Sequence, residues 1–178
     1  MKFLKWFLII LVSLLIILAV VGFFLPQKVH LERSIIIGAN RDTVFTQINS
    51  MQNFNQWSPW YKLDPNANYQ YSGPDAGKGN RMSWSSQDPN VGKGSQEIVE
   101  SQYPSLVRTE LLFGDDPNPG YAEFSIEEIT YTQTRVTWGF DADFGNNIVG
   151  RYFGLFLESM LGPQYEEGLK ALKEQVES

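Results

Sequence analysis

Side chains that could do chemistry are few in this chain. It has one histidine, His30, and no cysteine, which excludes thiolate nucleophiles, disulfides and cysteine-based metal sites. His30 follows closely on an N-terminal apolar segment, which predicts a place at the membrane interface. A general base needs a positioned partner in a cleft, so we expect no catalytic role for His30.

Charged residues recur in the middle of the chain, where Arg81, Glu97, Arg108 and Glu110 fall on predicted strands. A buried arginine among aromatic rings could hold a ligand carboxylate through two parallel hydrogen bonds. Exposed ion pairs between neighbouring strands explain the same residues, and we prefer that interpretation.

Two further patterns invite a chemical interpretation. Asp141 and Asp143 could form an acid–base pair if their environments separated their pKa values, but we favour stabilisation of the helix N-terminus that follows them. The Gly77-Lys78-Gly79 and Gly92-Lys93-Gly94 segments lack the spacing of phosphate-binding loops, and hairpin turns explain them. The sequence therefore predicts no catalytic set, no metal site and no cofactor.

Aromatic residues are the more informative candidates. Trp57 and Trp60 flank a Ser-Pro turn, and one of them could lie at a cavity mouth, although ordinary core packing explains both. Alternating strand positions and a predicted closing helix supply the other candidates for a ligand pocket: Trp84, Phe113, Trp138, Phe140, Phe153, Phe156 and Met160, with Arg81 as a polar member. A solid core would use the same positions, because protein interiors are close-packed.

An N-terminal apolar segment precedes all of these residues. No charged residue occurs from Trp6 to Leu25, and about 20 helical residues span roughly 30 Å, the thickness of the hydrocarbon core of a bilayer. Pro26 ends the segment. A cleaved signal peptide has a shorter apolar run before a small-residue cleavage site. We therefore expect an uncleaved anchor in residues 1–27, with its helix at about 6–25, and one domain in residues 28–178.

Charge gives a weak indication of orientation. Lys2 and Lys5 precede the apolar segment, whereas Lys28 and Arg33 follow it with Glu32 between them. The positive-inside rule then favours a single-pass protein whose domain is extracytoplasmic, or periplasmic in a bacterium. Without the charges of Lys2 and Lys5, the formal net charge of -6 becomes about -8 for the domain, which excludes typical nucleic-acid binding because phosphate contacts dominate that affinity.

The remaining elements must position the aromatic residues. Residues 28–37 alternate as a strand, Asn40 is placed to cap a short helix, and a second short helix runs to about Trp57. About six strands follow at a spacing that indicates an antiparallel meander. A long helix at about 147–177 closes the chain, with a kink expected at Gly162-Pro163. Its first half is apolar on more than one side, which predicts a helix wrapped by a curved sheet.

Several segments of the chain resemble the polyketide cyclase/dehydrase-like branch of the START-related (SRPBCC) helix-grip superfamily. The matching segments are Leu31-Glu32-Arg33-Ser34-Ile35, Trp57-Ser58-Pro59-Trp60, Gly77-Lys78-Gly79 with Trp84, Val136-Thr137-Trp138, Leu161-Gly162 and Gly168-Leu169-Lys170-Ala171-Leu172-Lys173. The resemblance covers about residues 29–177. It implies an α+β helix-grip fold, in which a curved antiparallel sheet of about seven strands, in the order β-α-α-β6-α, wraps a long C-terminal helix.

The resemblance also implies a range of functions. Members of the superfamily bind lipids, sterols, polyketides or hormones, some are cyclases or hydratases, and no catalytic residue is shared across them. We therefore expect a membrane-anchored module that binds a hydrophobic or amphipathic small molecule in an internal cavity. A cyclase- or hydratase-type enzyme is one alternative, for which Arg81, Glu97 and Glu110 are the candidate polar groups. A non-catalytic protein-interaction domain with a filled core, whose partner is unknown, is the other.

Overall fold

The computed structural model describes residues 2–178. Its elements are α1 (Lys2–Phe24), β1 (Lys28–Ile37), α2 (Arg41–Ile48), α3 (Met51–Trp57), α4 (Pro59–Leu63), β2 (Asn68–Ser72), β3 (Arg81–Ser85), β4 (Lys93–Gln102), β5 (Leu106–Phe113), β6 (Gly120–Thr130), β7 (Gln133–Asp143) and α5 (Ile148–Glu177). Seven strands form one antiparallel sheet in the order β1-β7-β6-β5-β4-β3-β2. The predicted helix-grip fold is confirmed.

Alternation of apolar and polar residues gives the sheet two different faces. On β1, Leu31 and Ile37 are buried and face Phe140 and Thr134 of β7 in the antiparallel register. We call this apolar side, which carries the helices, the concave face. The opposite side carries charged residues such as Glu32 and is called the convex face.

Three short helices follow β1, one more than the sequence predicted. Asn40 caps α2 as expected, since its side chain accepts a hydrogen bond from the backbone N–H of Thr43 at 2.9 Å. Ser58-Pro59 ends α3 but also begins α4, because the fixed φ of proline suits the first position of a helix.

Helix α5 lies along β1 in the same direction as that strand. Gly154 approaches Val29 near the start of β1, and the Glu177 carboxylate accepts from the Gly38 backbone N–H just beyond its end. The helix also packs on β7 and on the three short helices. It continues as one helix through Pro163.

Two glycines of α5 allow close packing that a larger residue would prevent. A Cβ on Gly168 would come within 2.8 Å of the Trp138 ring and 3.1 Å of Pro59. A Cβ on Gly162 would collide with the Arg33 guanidinium, which crosses the helix there to bind the carboxylates of Glu158 and Glu166. These contacts give a packing reason for glycine at both positions.

Helix α1 is a candidate membrane anchor. Residues Phe3–Phe24 are long and apolar enough to cross a membrane. Its large apolar side chains are exposed, and among residues 3–24 only Gly22 is buried, against α5. The helix therefore projects from the sheet and touches the rest of the chain near one end.

Candidate functional site

A cluster of stacked rings fills the middle of the concave face. The Trp138 ring lies between Phe124 and Tyr165, with centroid separations of 4.8 Å and 3.9 Å and nearly parallel planes. Trp57 and Phe54 meet Trp138 edge-on at 5.6 Å and 5.9 Å. All five side chains are buried, and we call them the aromatic core. Trp57 and Trp138, two predicted ligand residues, are thus packed in a filled region.

Trp60 lies at the rim of the aromatic core. Its ring meets Trp138 at 5.8 Å and Tyr165 at 6.0 Å, both edge-on, and it is partly buried. Burial raises the pKa of the Tyr165 hydroxyl, so this group stays neutral at physiological pH. The packing interpretation of the Trp57–Trp60 segment therefore matches its position in the structure.

One polar atom in the aromatic core lacks a partner. The indole N–H of Trp138 is buried and has no acceptor among the described residues. Buried donors are normally hydrogen-bonded, because an unpaired donor loses its bond to water without replacement. The neighbouring indole of Trp57 shows the usual arrangement and donates to the Gln47 carbonyl at 3.3 Å.

Beyond the aromatic core, the concave face is incompletely covered. Trp84 of β3 and Phe113 of β5 face each other across β4, with ring centroids 6.2 Å apart. Phe113 is 48% exposed, while Trp84, Tyr69 and Leu111 are partly buried. Gly94 lies between the two rings, and a Cβ there would collide with Trp84. We call Tyr69, Trp84, Leu111 and Phe113 the open end.

Strand register fixes where the open end lies. Phe113 and Trp84 stand at the end of the sheet that also contains the start of β6 and the last residues of β7. Phe140 of β7 is buried over Gly120 there, and Ala142 faces Val29 at the start of β1. Because β1 begins shortly after α1, the open end and α1 lie at the same end of the sheet.

The polar side chains that β2, β4 and β5 place near the middle of the concave face are neutral and mostly paired. The buried Gln96 amide donates to the Thr109 hydroxyl at 3.0 Å, and Asn55 donates to the Tyr71 hydroxyl at 2.8 Å. Burial raises the pKa of Tyr69 to about 12. Acid–base chemistry near neutral pH requires a group that titrates there, and the Tyr69 hydroxyl remains protonated. In the described part of the chain, no group of three or more metal-ligating side chains converges.

Helix α5 presents its predicted ligand residues differently from our expectation. Phe153, Phe156 and Met160 are each about half exposed, and none belongs to the aromatic core. The buried side of this part of the helix is formed by Gly154 and Leu157. The expectation that the sheet wraps the first half of α5 on several sides is therefore wrong, because β1 and β7 cover one side only.

Arg81 lies on the convex face, because successive side chains of β3 point to opposite faces and its neighbour Met82 is buried on the concave face. Its guanidinium binds the Glu97 carboxylate across the strands at 3.2 Å and the Ser95 hydroxyl at 2.9 Å. An open groove of about 540 Å³ runs beside it, with Lys93 and Asp115 paired at its edge. The preferred interpretation of Arg81 and Glu97 as a cross-strand ion pair agrees with this geometry.

Both aspartates before α5 are paired with β1. Asp141 accepts a hydrogen bond from His30 Nδ1 at 2.8 Å, and Asp143 lies 3.8 Å from the Lys28 ammonium. The hydrogen bond to Asp141 raises the pKa of His30. These contacts correct the interpretation of the aspartates as helix N-terminal charges, because both lie on strand β7 and Asn147 caps α5 instead.

Sequence reasoning missed Arg151, the buried arginine of α5. Its guanidinium donates to the Gly145 carbonyl at 2.7 Å and 2.9 Å and to the Phe23 carbonyl at 2.6 Å. It therefore joins the C-terminal end of α1 to the loop before α5. An arginine within an otherwise apolar stretch was the signal in the sequence, since such residues are rarely buried without partners.

The sequence of residues 28–177 matches the family described as polyketide cyclase / dehydrase and lipid transport. The chain belongs to this family. No curated protein matches the chain at a significant level. The family spans β1 to the end of α5, and thus includes the aromatic core, the open end and Arg151.

Solved structures show the same fold at low sequence identity. Norcoclaurine synthase from Thalictrum flavum has a TM-score of 0.63 at 12% identity, with 84% of this chain and 93% of that chain covered. A START superfamily protein from Mycobacterium smegmatis has a TM-score of 0.60 at 15% identity, with 83% and 97% covered. A Thermobifida fusca protein has a TM-score of 0.58 at 18% identity, with 83% and 92% covered. Similarity at this level establishes the START-like fold and carries no residue roles.

Proposed function

We propose that this protein is a membrane-anchored module that binds a hydrophobic or amphipathic small molecule at the open end of its concave face. The observation that most directly supports this proposal is the contiguous, partly exposed apolar surface of Trp84, Phe113 and Leu111. Ligand sites are concave and lined mainly by apolar and aromatic side chains, with few polar groups. A family whose description includes lipid transport supports this class of ligand.

The inner end of this surface favours a ligand with at least one hydrogen-bond acceptor. Phe140 separates the open end from Trp138 along β7, and the Trp138 indole N–H is the unpaired donor of the aromatic core. A ligand oxygen would reach this donor only if the buried Phe140 ring moved aside, and it would then supply the missing acceptor.

Anchoring by α1 is the second part of the proposal. A helix of this length and composition spans a bilayer, and the domain follows it within a few residues. Apolar ligands concentrate in the membrane, so the anchor keeps the open end close to their source. The charge difference between Lys2 and Lys5 on one side and β1 on the other favours an extracytoplasmic domain.

The catalytic alternative has less support. Arg81 and Glu97 are paired on the convex face, and Glu110 accepts from Tyr121 on the same face at 3.3 Å. These were the polar groups on which a cyclase or hydratase reaction would depend. A filled core alone fits the protein-interaction alternative, but it gives no reason for the exposed rings of the open end.

Native mass spectrometry of the full-length chain, released from detergent micelles after purification from cells, tests the proposal. We expect additional mass that is lost on denaturation and that fits a lipid-like molecule. Trp84→Ala and Phe113→Ala should reduce its occupancy several-fold. Ser83→Ala and Leu112→Ala are matched controls, because these neighbours on the same strands lie on the convex face. Equal occupancy in all four folded variants would refute the open end as the site.

A further inference from the structure

The outward side of α5 changes its chemistry halfway along the helix. Val149, Phe153, Phe156 and Met160 recur in three- and four-residue steps and form one stripe, which we call the apolar stripe. Val149 is 78% exposed and Phe156 is 59% exposed. Beyond the apolar stripe, the same side of the helix carries Pro163, Glu167, Lys170 and Glu174, which are exposed and mostly charged. If water covered this side of the helix along its whole length, we would expect polar residues on both halves of it.

The apolar half of α5 is also the half that contacts α1. Ile148 and Tyr152 pack onto Gly22, where a Cβ would collide with both side chains. The Tyr152 hydroxyl donates to the Leu18 carbonyl at 2.8 Å, within the apolar segment. Arg151 adds hydrogen bonds to carbonyls at the end of α1, including that of Phe23 at 2.6 Å. The two helices are therefore held in a fixed crossing.

The position of Leu18 sets the depth of this crossing. At 1.5 Å per residue, Leu18 lies roughly 10 Å below Leu25, the last residue of the apolar segment. If α1 spans the bilayer, the Tyr152 hydroxyl lies within the hydrocarbon layer. A hydroxyl in hydrocarbon needs an internal acceptor, and the Leu18 carbonyl is one. The first turns of α5 then enter the membrane with it.

We propose that the apolar stripe is embedded in the acyl-chain layer of the same bilayer that α1 spans. The contact is continuous with the α1–α5 crossing and ends where charged residues replace apolar ones after Met160. The inference rests on the proposed anchoring by α1. It adds a second membrane contact, and with it a fixed orientation of the domain towards the bilayer.

Charge on the neighbouring loops specifies the kind of contact. Asp88, Asp115 and Asp116 lie on the loops at the same end of the sheet, and Lys93 there is already paired with Asp115. Acidic loops are not attracted to anionic headgroups. The embedding is therefore driven by burial of apolar area, and it should occur in a zwitterionic phosphatidylcholine bilayer.

Embedding has a consequence for the proposed ligand site. The open end and the start of α5 lie at the same end of the sheet, as Val29 faces Ala142 and contacts Gly154. Trp84 and Phe113, which lie further across the sheet on β3 and β5, would then be at the end of the domain nearest the bilayer. The class of ligand that this geometry favours is a membrane-resident lipid.

Spin labels on the full-length chain in phosphatidylcholine nanodiscs test the inference, and the absence of cysteine allows single labels without other changes. We expect labels at Phe153→Cys, Phe156→Cys and Met160→Cys to collide readily with oxygen and rarely with a water-soluble nickel chelate. The oxygen-to-nickel collision ratio there should be several-fold higher than at Glu167→Cys, the matched control on the charged half of the same side of α5. A Leu14→Cys label on α1 reports the anchoring itself.

Each other outcome overturns the inference in a distinguishable way. A high ratio at Leu14→Cys, with ratios at the apolar stripe equal to that at Glu167→Cys, would support anchoring by α1 and refute the membrane contact of α5. Low collision rates with both reagents at the stripe would indicate a protein partner, such as a second copy of this chain. A low ratio at Leu14→Cys would reject the anchor and the embedding together.

Discussion

Arg151 provides a quantitative test of the link between α1 and the domain. Its side chain is buried, and no carboxylate of residues 2–178 lies within ion-pair distance of it. Carbonyl oxygens compensate its charge, including those at the C-terminal, negative end of α1. Arg151→Met keeps the unbranched apolar stem of the side chain and removes every donor, so most of its effect comes from the lost hydrogen bonds.

The short contacts set the expected magnitude. Two run to the Gly145 carbonyl, at 2.7 Å and 2.9 Å, and one to the Phe23 carbonyl, at 2.6 Å. At about 1.5 kcal/mol for each bond from a charged donor, Arg151→Met should cost about 4.5 kcal/mol. Only the bonds to Gly145 remain in a chain that lacks residues 1–25, so the cost there should fall to about 3 kcal/mol.

Thermal unfolding followed by tryptophan fluorescence measures both values, with the full-length chain in nanodiscs and the shortened chain in buffer. For a domain of this size, about 1 kcal/mol corresponds to a change in Tm of about 2–4 °C. We expect Arg151→Met to lower Tm by about 9–18 °C in the full-length chain and by about 6–12 °C in the shortened one. An equal loss of stability in both backgrounds would refute the coupling between Arg151 and α1.

Three further predictions test the packing and charges of the domain. His30 should titrate above its usual pKa of about 6.5 because it donates to Asp141, and Asp141→Asn should lower that pKa. The stabilisation from protonated His30 is then full below pH about 6.5 and is lost as pH rises through the raised pKa. An NMR titration of the single histidine measures this pKa. A His30 pKa that Asp141→Asn leaves unaltered would contradict the prediction. Gly168→Ala should lower the urea midpoint, because a clash with the Trp138 ring of about 1–3 kcal/mol exceeds the helix propensity gained, and a higher midpoint would show that the contact relaxes. Arg81→Met should change the free energy of unfolding by less than about 1 kcal/mol and leave ligand occupancy unchanged, since Arg81 forms an exposed pair on the convex face; loss of ligand would return Arg81 to the site.

Local sequence patterns predicted several elements because neighbouring residues determine them. Alternation over residues 28–37 gave β1, and the Asn40 side chain capped the helix that followed. A helical period over the C-terminal residues predicted a helix at about 147–177, and α5 spans Ile148–Glu177. Both periods depend on backbone geometry alone, so they need no knowledge of distant contacts.

The ligand residues were predicted less well, because the spacing of apolar residues along a helix or strand does not show which other elements cover each of its faces. Phe153 and Phe156 have the spacing of core residues, yet β1 and β7 cover the opposite side of the helix. Arg81 alternates with buried Met82, but which face of β3 is concave depends on the whole sheet. Trp138 was placed on the inward face, whereas its stacking on Tyr165 required the position of α5.

By itself, the sequence determined the apolar helix at the N-terminus, the order of strands and helices apart from the short α4, and the aromatic content of the inward face. These follow from composition and from contacts between residues close in the chain. Only the tertiary structure decided which rings are packed, where the concave face stays open, and how α5 meets α1. The Tyr152 hydroxyl and the Leu18 carbonyl are 134 residues apart in the chain, and their contact arises only after the sheet has aligned β1 with β7 and α5 has packed along it.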